Sequence, residues 1–396
     1  MHRETAIRVL LILALLAPAP AAVRAQDRTD DEEIVWPLPP DPPRVRYVGV
    51  LRSERDIGKK GSFLSRLRSG LLGERERLLA VTRPWDVHVA PDGKIYVTNG
   101  SPTGILVFDP DEKSSRLLQP RGRARLSKAM GITGDAEGNI FVADPSGRRV
   151  VAMTPEGDLI RAYGGAQVLL NPVDVALSRD GSKVYVADSY LHQVLIFDRE
   201  SGELLERIGK NEGSLAEKTA RKSSVAHGAE EAPADPHVAT NEPSDLVENR
   251  GGGPGEFRYP SFLAVAPDGT LYVTDAMNFR VQAFTPEGEY KLEFGGMGDG
   301  PGRFARPKGL AVDSEGHIYV ADAAFSNIQI FDADGRLLMA FAEGGNAEGQ
   351  LNMPIGVTFD DRDRIFVADR YNDRIQVFEY LGSPEEERPT GQPERR

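Results

Sequence analysis

IFVADRYNDRIQVF, residues 365–378, decides how this chain folds. Close copies precede it: IFVADPSGRRVVAM (140–153), VYVADSYLHQVLIF (184–197), LYVTDAMNFRVQAF (271–284) and IYVADAAFSNIQIF (318–331). A sixth, looser copy is IYVTNGSPTGILVF (95–108). The residue ending each apolar run is Asn99, Asp144, Asp188, Asp275, Asp322 or Asp369, at spacings of 45, 44, 87, 47 and 47. An aromatic lies three residues before each (Tyr96, Phe141, Tyr185, Tyr272, Tyr319, Phe366). A large apolar residue lies nine after each (Phe108, Met153, Phe197, Phe284, Phe331, Phe378). A period in the forties made of short strands points to radial repetition.

One unit, residues 259–296, shows what repeats. SFLAVA reads as a buried strand, PDGT as a tight turn whose Gly supplies positive φ, and TLYVTD as a second strand. AMNF is a short loop, RVQAF a third strand, TPEG a turn and EYKLEF a fourth strand. Four short antiparallel strands with Gly, Pro and Asp turns make one propeller blade. The first strand opens with Pro84, Pro172, Pro260, Pro307 or Pro354, with Ala129 in the remaining unit. Proline is tolerated there because no ladder donor is yet required.

The expected fold is therefore all-β, a six-bladed β-propeller with blades starting near residues 83, 126, 169, 257, 304 and 351. The spacing of 87 reflects an insertion between blades 3 and 4: residues 211–250 are rich in Glu, Ala, Ser and Pro and read as disordered. The last unit lacks a fourth strand, and the chain then runs into a polar tail, 383–396. RVRYVGVL, residues 44–51, has strand character outside every repeat and is expected to close the last blade, so that the propeller spans 44–382. Residues 26–43 read as a disordered Pro-rich leader. A short helix is expected near 62–72, within KKGSFLSRLRSGLLGERERLL (59–79). It would pack over the propeller or, through its basic amphipathic face, dock on a membrane or partner.

At the N-terminus, Arg3 and Arg8 precede a short apolar run, Val9–Ala17, then small residues and a polar start. This describes a signal peptide cleaved after Ala25, leaving an exported, periplasmic or extracellular protein with no integral membrane segment. The 396-residue chain carries no cysteine, so disulfides and thiolate chemistry are excluded. Its net charge of -12 argues against nucleic acid, which is bound through clustered Lys and Arg.

The units resemble NHL repeats, of the pattern P-x-G-V-A-V…G-x-I-Y-V-A-D…N-x-R-I-Q-V-F. DRYNDRIQVF (369–378) matches best, and Gly-rich connectors GGGPGEFRYP (251–260) and GGMGDGPGRFARP (295–307) agree. Blades 1, 3 and 5 depart at Gly104, His192–Gln193 and Asn327. The leader WPLPPDPPRVRYVGVL (36–51) is similar to that of exported bacterial six-bladed propeller proteins. The resemblance implies the fold but not one activity, since such propellers serve as scaffolds, ligand binders and some enzymes. One enzyme of this kind, the peptide-amidating lyase, holds zinc with three histidines. Here the histidines after the leader are His88, His192, His227, His237 and His317, and none fills the rim slot after the blade-opening Pro. No metal or other cofactor is called for. A calcium-dependent lactone hydrolase would need acidic groups converging on the channel, where the first strands offer only Asp86 and Asp174.

Each second strand ends on one face, called the top. The loops after it and the connectors between blades lie there too. The six repeated Asp and Asn residues are expected to cap loop amides rather than to react. Trp85, Asp86, Asp174, Tyr190, His192, Lys308, Phe325, Tyr371 and Arg374 are the candidate ligand- or partner-binding residues. The expected function is non-catalytic binding of a protein or envelope ligand through the top face. The alternatives are a metal-dependent lyase or lactone hydrolase and a structural envelope protein.

Overall fold

A computed structural model describes residues 33–57, 79–100, 104–209 and 250–382. The signal segment 1–25, the 62–72 helix, nearly all of the 211–250 insertion and the 383–396 tail lie outside the described residues.

The chain forms a six-bladed propeller. Blades 1 to 5 are four-stranded antiparallel sheets in chain order; blade 4, for example, comprises Pro260–Val265, Leu271–Asp275, Arg280–Phe284 and Tyr290–Gly295. The first strands line the axis and the fourth strands face outward. Second strands are buried throughout, whereas fourth strands alternate exposed and covered residues.

The two sequence offsets occupy opposite faces of each blade. The aromatic three residues before the terminal Asp packs toward the next blade, and the apolar residue nine after it packs toward the preceding one. Each gap between neighbours thus receives one of each. Tyr96 shares a buried cluster with Met153, Phe141 with Phe197 and Tyr185 with Phe284. Tyr272 shares one with Phe331, Tyr319 with Phe378 and Phe366 with Phe108. Six wedge-shaped cores result, in place of one central core. Flat rings on both sides of a sheet let blades lie face to face near interior packing density.

Closure occurs as the sequence suggests. Val45–Leu51 pairs antiparallel with Arg374–Tyr380, from Val45 opposite Tyr380 to Leu51 opposite Ile375. Val45 is buried in the core between blades 5 and 6, and Leu51 in that between blades 6 and 1. The leader departs from the expectation of disorder. Within it, Val35–Trp36 adds a fifth strand to blade 6, paired with Val45 and Arg46. The physical reason is aromatic burial. The Trp36 ring meets Phe378 edge-on at 5.7 Å and Phe341 at 5.8 Å, covering an otherwise open strand edge.

Truncating closing-strand residues is expected to destabilise the whole ring. Val45→Ala and Leu51→Ala should each cost about 1–4 kcal/mol in urea unfolding, in the range for buried aliphatic truncation. A cost near zero for both would show that blade 6 is stable without this strand.

Candidate ligand-binding face and central channel

The repeated carboxylates bind the backbone of the connector that leads into their own blade. Asp275 accepts from Arg258 N at 2.7 Å, and Asp369 from Asn352 N at 2.7 Å. Asp322 takes Ala305 N at 2.7 Å and Arg306 N at 3.1 Å; Asp188 takes Leu170 N at 2.7 Å. Asp144 takes Lys128 N at 2.9 Å, and Asn99, with the same geometry, takes Thr82 N at 2.6 Å. Several also cap the loop that follows: Asp322 accepts from Ala324 N and Phe325 N, and Asp188 from Tyr190 N and Leu191 N. These bonds tie each connector, and in several blades the following loop, to the end of the second strand.

Arg374 proves to be part of the same fastening, contrary to its assignment as a binding residue. It is 1% exposed. Its Nε donates to Asp369 at 2.7 Å, while its two Nη atoms reach the carbonyls of Asn346, Ala347 and Gln350. Arg280 ties Asp275 to the carbonyls of Gly252, Gly253 and Glu256 in the same way. A planar fork with five donors suits a loop presenting several carbonyls at once.

His192 is likewise removed from the surface. It is fully buried at φ 55°, accepting from Tyr259 N through Nδ1 at 3.1 Å. Its ring stands edge-on to Tyr259 at 4.7 Å, and Arg250 Nε lies 3.2 Å from its Nε2. Burial, helped by Arg250 and Arg258, lowers its pKa to about 4. The imidazole therefore serves as a neutral acceptor that fixes the connector between blades 3 and 4.

At the axis, two rings of side chains stack. The upper ring, one residue after the blade-opening position, holds Trp85, Met130, Val173, Ser261, Lys308 and Ile355. The next holds Asp86, Gly131, Asp174, Phe262, Gly309 and Gly356. Trp85 and Phe262, from opposite blades 1 and 4, stack at 6.1 Å with 17° between their planes. This contact crosses the axis and closes the channel near the top. Arg370 lies over the Trp85 ring at 5.3 Å, and Tyr371 beside it is 58% exposed. The indole Nε1 and the Ser261 hydroxyl are buried without a hydrogen-bond partner.

Asp86 and Asp174 are buried and hold inner strands together. Asp86 accepts from Ile132 N of blade 2 at 2.9 Å and from Val87 N at 2.9 Å. Asp174 accepts from Leu263 N of blade 4 at 2.8 Å. Each also fills space that glycine leaves on the preceding blade. A Cβ at Gly356 would lie 2.1 Å from Asp86 Oδ1, and one at Gly131 would lie 2.0 Å from Asp174 Oδ1. Burial pushes Asp86 up to about 7, partly offset by the two amides. Asp174 is raised well above the ordinary carboxylate range by burial and by Asp86.

Below these carboxylates the channel widens into a cavity of about 530 Å³ that opens on the face opposite the top. Its walls include His88, Asp135, Arg179 and Arg199, with Arg199 paired to Asp135. The sequence reading did not foresee this mouth. Its signal was available in the acidic DAEG turn (135–138) and the RDGS turn (179–182), which periodicity treats as interchangeable punctuation. Tyr190, Phe325 and Tyr371 remain on the upper loops, and Lys308 stays in the upper axial ring.

The fold is a six-bladed β-propeller, and two family models match parts of the chain. Residues 351–378 match the NHL repeat, and residues 264–340 match DUF5128, a 6-bladed β-propeller. The chain is thus a six-bladed propeller in which one segment, in blade 6, matches the NHL repeat. Peptidyl-glycine alpha-amidating monooxygenase A of Xenopus laevis is 26% identical over 216 residues, covering 51% of this chain and 19% of that protein. The mouse peptidyl-glycine alpha-amidating monooxygenase is 24% identical over 190 residues, 46% of this chain and 16% of its own length. The chain therefore spans less than a fifth of either relative. An auxiliary nutrient binding protein from Bacteroides thetaiotaomicron superposes with a TM-score of 0.52 at 14% identity, over 76% of this chain and 69% of that one. At that identity the likeness concerns the fold.

A three-histidine zinc centre does not fit the described residues. His88 lies on an inner strand, His192 in the connector of blades 3 and 4, and His317 at a lower turn bonded to Asp313. Among the described residues no group of three or more His, Cys, Asp or Glu could hold a metal.

Two outcomes follow. Arg374→Met leaves Asp369 buried without its cation and should cost about 3–5 kcal/mol in urea unfolding. Exposed Tyr371→Ala should stay within about 0.5 kcal/mol. Equal, small costs would return Arg374 to the surface. Asp86 is raised above its ordinary 3.8 to about 7, so its contribution is fully present below 3.8 and lost as pH rises through about 7. His192 acts with the opposite sign, losing stability as pH falls from 6.5 toward about 4. The difference between wild type and Asp86→Asn isolates the carboxylate. The melting-temperature advantage of wild type should shrink from acid to neutral pH, and a flat difference would contradict the assignment.

Proposed function

We propose that this protein is an exported, non-catalytic binding module, and that it recognises a protein or envelope ligand through the top face around Trp85. One observation carries the reading. The polar residues that repeat around the top, together with Arg374, Arg280 and His192, are occupied with backbone groups. Trp85, Tyr371 and Lys308 stand outside that fastening at or near the axis, and Arg370 reaches the carbonyls of Arg83 and Pro84 at 3.4 Å. A fixed scaffold presenting aromatic and cationic side chains suits recognition better than bond breaking. Asp86 and Asp174, the carboxylates a channel enzyme would draw on, are hydrogen-bonded to neighbouring strands.

A second reading has one specific support. The lower cavity places two carboxylates of raised pKa at its inner end, as acid–base chemistry would require. Under that reading the protein is a lyase or lactone hydrolase.

Two measurements separate them. Affinity capture from an envelope fraction should retain a defined set of proteins, lost with Arg370→Ser/Tyr371→Ala while the melting temperature is unchanged. Capture that ignores this variant would overturn the binding reading. So would one tightly bound zinc or calcium per purified chain, measured by elemental analysis.

A further inference from the structure

The inner rim of the top face gathers cations in an acidic chain. Although the net charge is -12, the residues flanking the blade openings include Arg83, Lys128, Arg258, Arg306 and Lys308, with Arg370 in the next loop. Arg83, Lys128, Arg258 and Arg306 lie just before the innermost strands of blades 1, 2, 4 and 5, Lys308 lies in that of blade 5, and Arg370 sits over Trp85. Arg83, Lys128, Arg258 and Arg306 are exposed, and Lys308 and Arg370 are partly so. None of the six has a carboxylate in salt-bridge contact among the described residues. They also crowd one another. Lys308 is held below its ordinary pKa by burial and by Arg306, and Arg370 by burial and by Arg83. On the opposite face the inner-turn aspartates are matched instead: Asp92 pairs with Lys94, Asp135 with Arg199, Asp268 with Lys291, Asp313 with His317 and Asp360 with Arg364. Between these two sets the unmatched charge is the cationic one at the top, which attracts an anionic ligand.

Resting on the proposed binding role of this face, we propose that its ligand is an acidic polypeptide segment, its carboxylates on these six cations and an apolar side chain against exposed Tyr371. Unpaired like charges gathered around an aromatic centre are costly alone and complementary to such a segment. A nucleic acid fits less well. Trp85 is already stacked by Phe262 and covered by Arg370, so the axis offers no open platform for bases.

The test uses the full-length protein and fluorescence anisotropy with a labelled glutamate-rich peptide bearing one central Phe. Comparators are a lysine-rich peptide of equal length, a single-stranded oligonucleotide of equal charge, and anionic vesicles. The acidic peptide should bind tightest, with affinity that falls as salt rises. Arg258→Glu/Arg306→Glu should weaken it at least about tenfold, equivalent to about 1.4 kcal/mol. Lys308→Gln should weaken it less, and Lys113→Glu on the far face should leave it unchanged. Matching melting temperatures guard against misfolding. Tighter binding of the oligonucleotide or vesicles, or equal peptide binding by the charge-reversed protein, overturns the proposal. No binding of the acidic peptide overturns it too. Envelope capture that still depends on Arg370 and Tyr371 would then leave the binding role itself standing.

Discussion

The architecture depends on one packing arrangement repeated six times, the burial in one cluster of an aromatic from one blade and a large apolar residue from the next. In the gap between blades 4 and 5 these are Tyr272 and Phe331; between blades 6 and 1 they are Phe366 and Phe108. Each blade contributes to two gaps, through alternate residues of the same strands. A blade therefore has no core of its own and becomes stable only between neighbours. This constraint fixes the two sequence offsets, since the aromatic and the apolar residue must emerge on opposite faces. It also requires that the ring close, because an open ring would leave one aromatic face and one edge in water.

The upper surface follows from the same requirement. Blades held side by side need connectors of set length crossing from an outer strand to the next inner one. Those connectors expose amides and carbonyls that hydrogen-bonding side chains must satisfy. The terminal Asp takes the amides, and the Arg five residues later takes the carbonyls, as at Asp275 with Arg280 and Asp369 with Arg374. Blade 3 lacks that Arg, and His192 there accepts the amide of Tyr259 from the next connector. What is left for recognition is the set of side chains this fastening does not consume, chiefly the axial ring and its flanking cations.

Much of the fold was legible because it is periodic. Strand number, blade boundaries and the closing segment all follow from offsets that any single copy would leave ambiguous. The structural role of Asp369 was legible for the same reason, since six copies around a ring cannot share one site. Function is not periodic, and its legibility suffered accordingly. Arg374 and Tyr371 sit three residues apart in one loop region, yet one is buried and the other exposed. Only the three-dimensional course of the connector separates them. His192 looked like a free ligand because its partner Tyr259 is 67 residues distant. Trp36 was hidden by its prolines, which suggest disorder while its indole fills the edge of blade 6. The cavity mouth was hidden by turn sequences whose charges matter only once two blades stand side by side.

Closure has a consequence in time. The strand Val45–Leu51 is synthesised long before its partner Arg374–Tyr380. The early strand must stay unpaired while five blades form, with Val45, Leu51 and Trp36 uncovered. Loop closure across more than 300 residues costs little more than closure across 100, because its entropy grows only with the logarithm of length. The burden is therefore one of waiting rather than of stability. A chain stalled before residue 374 would present a ready-made edge to other nascent chains. Val35–Trp36 covers the opposite edge of Val45–Leu51, so the edge left waiting is the one that Arg374–Tyr380 takes.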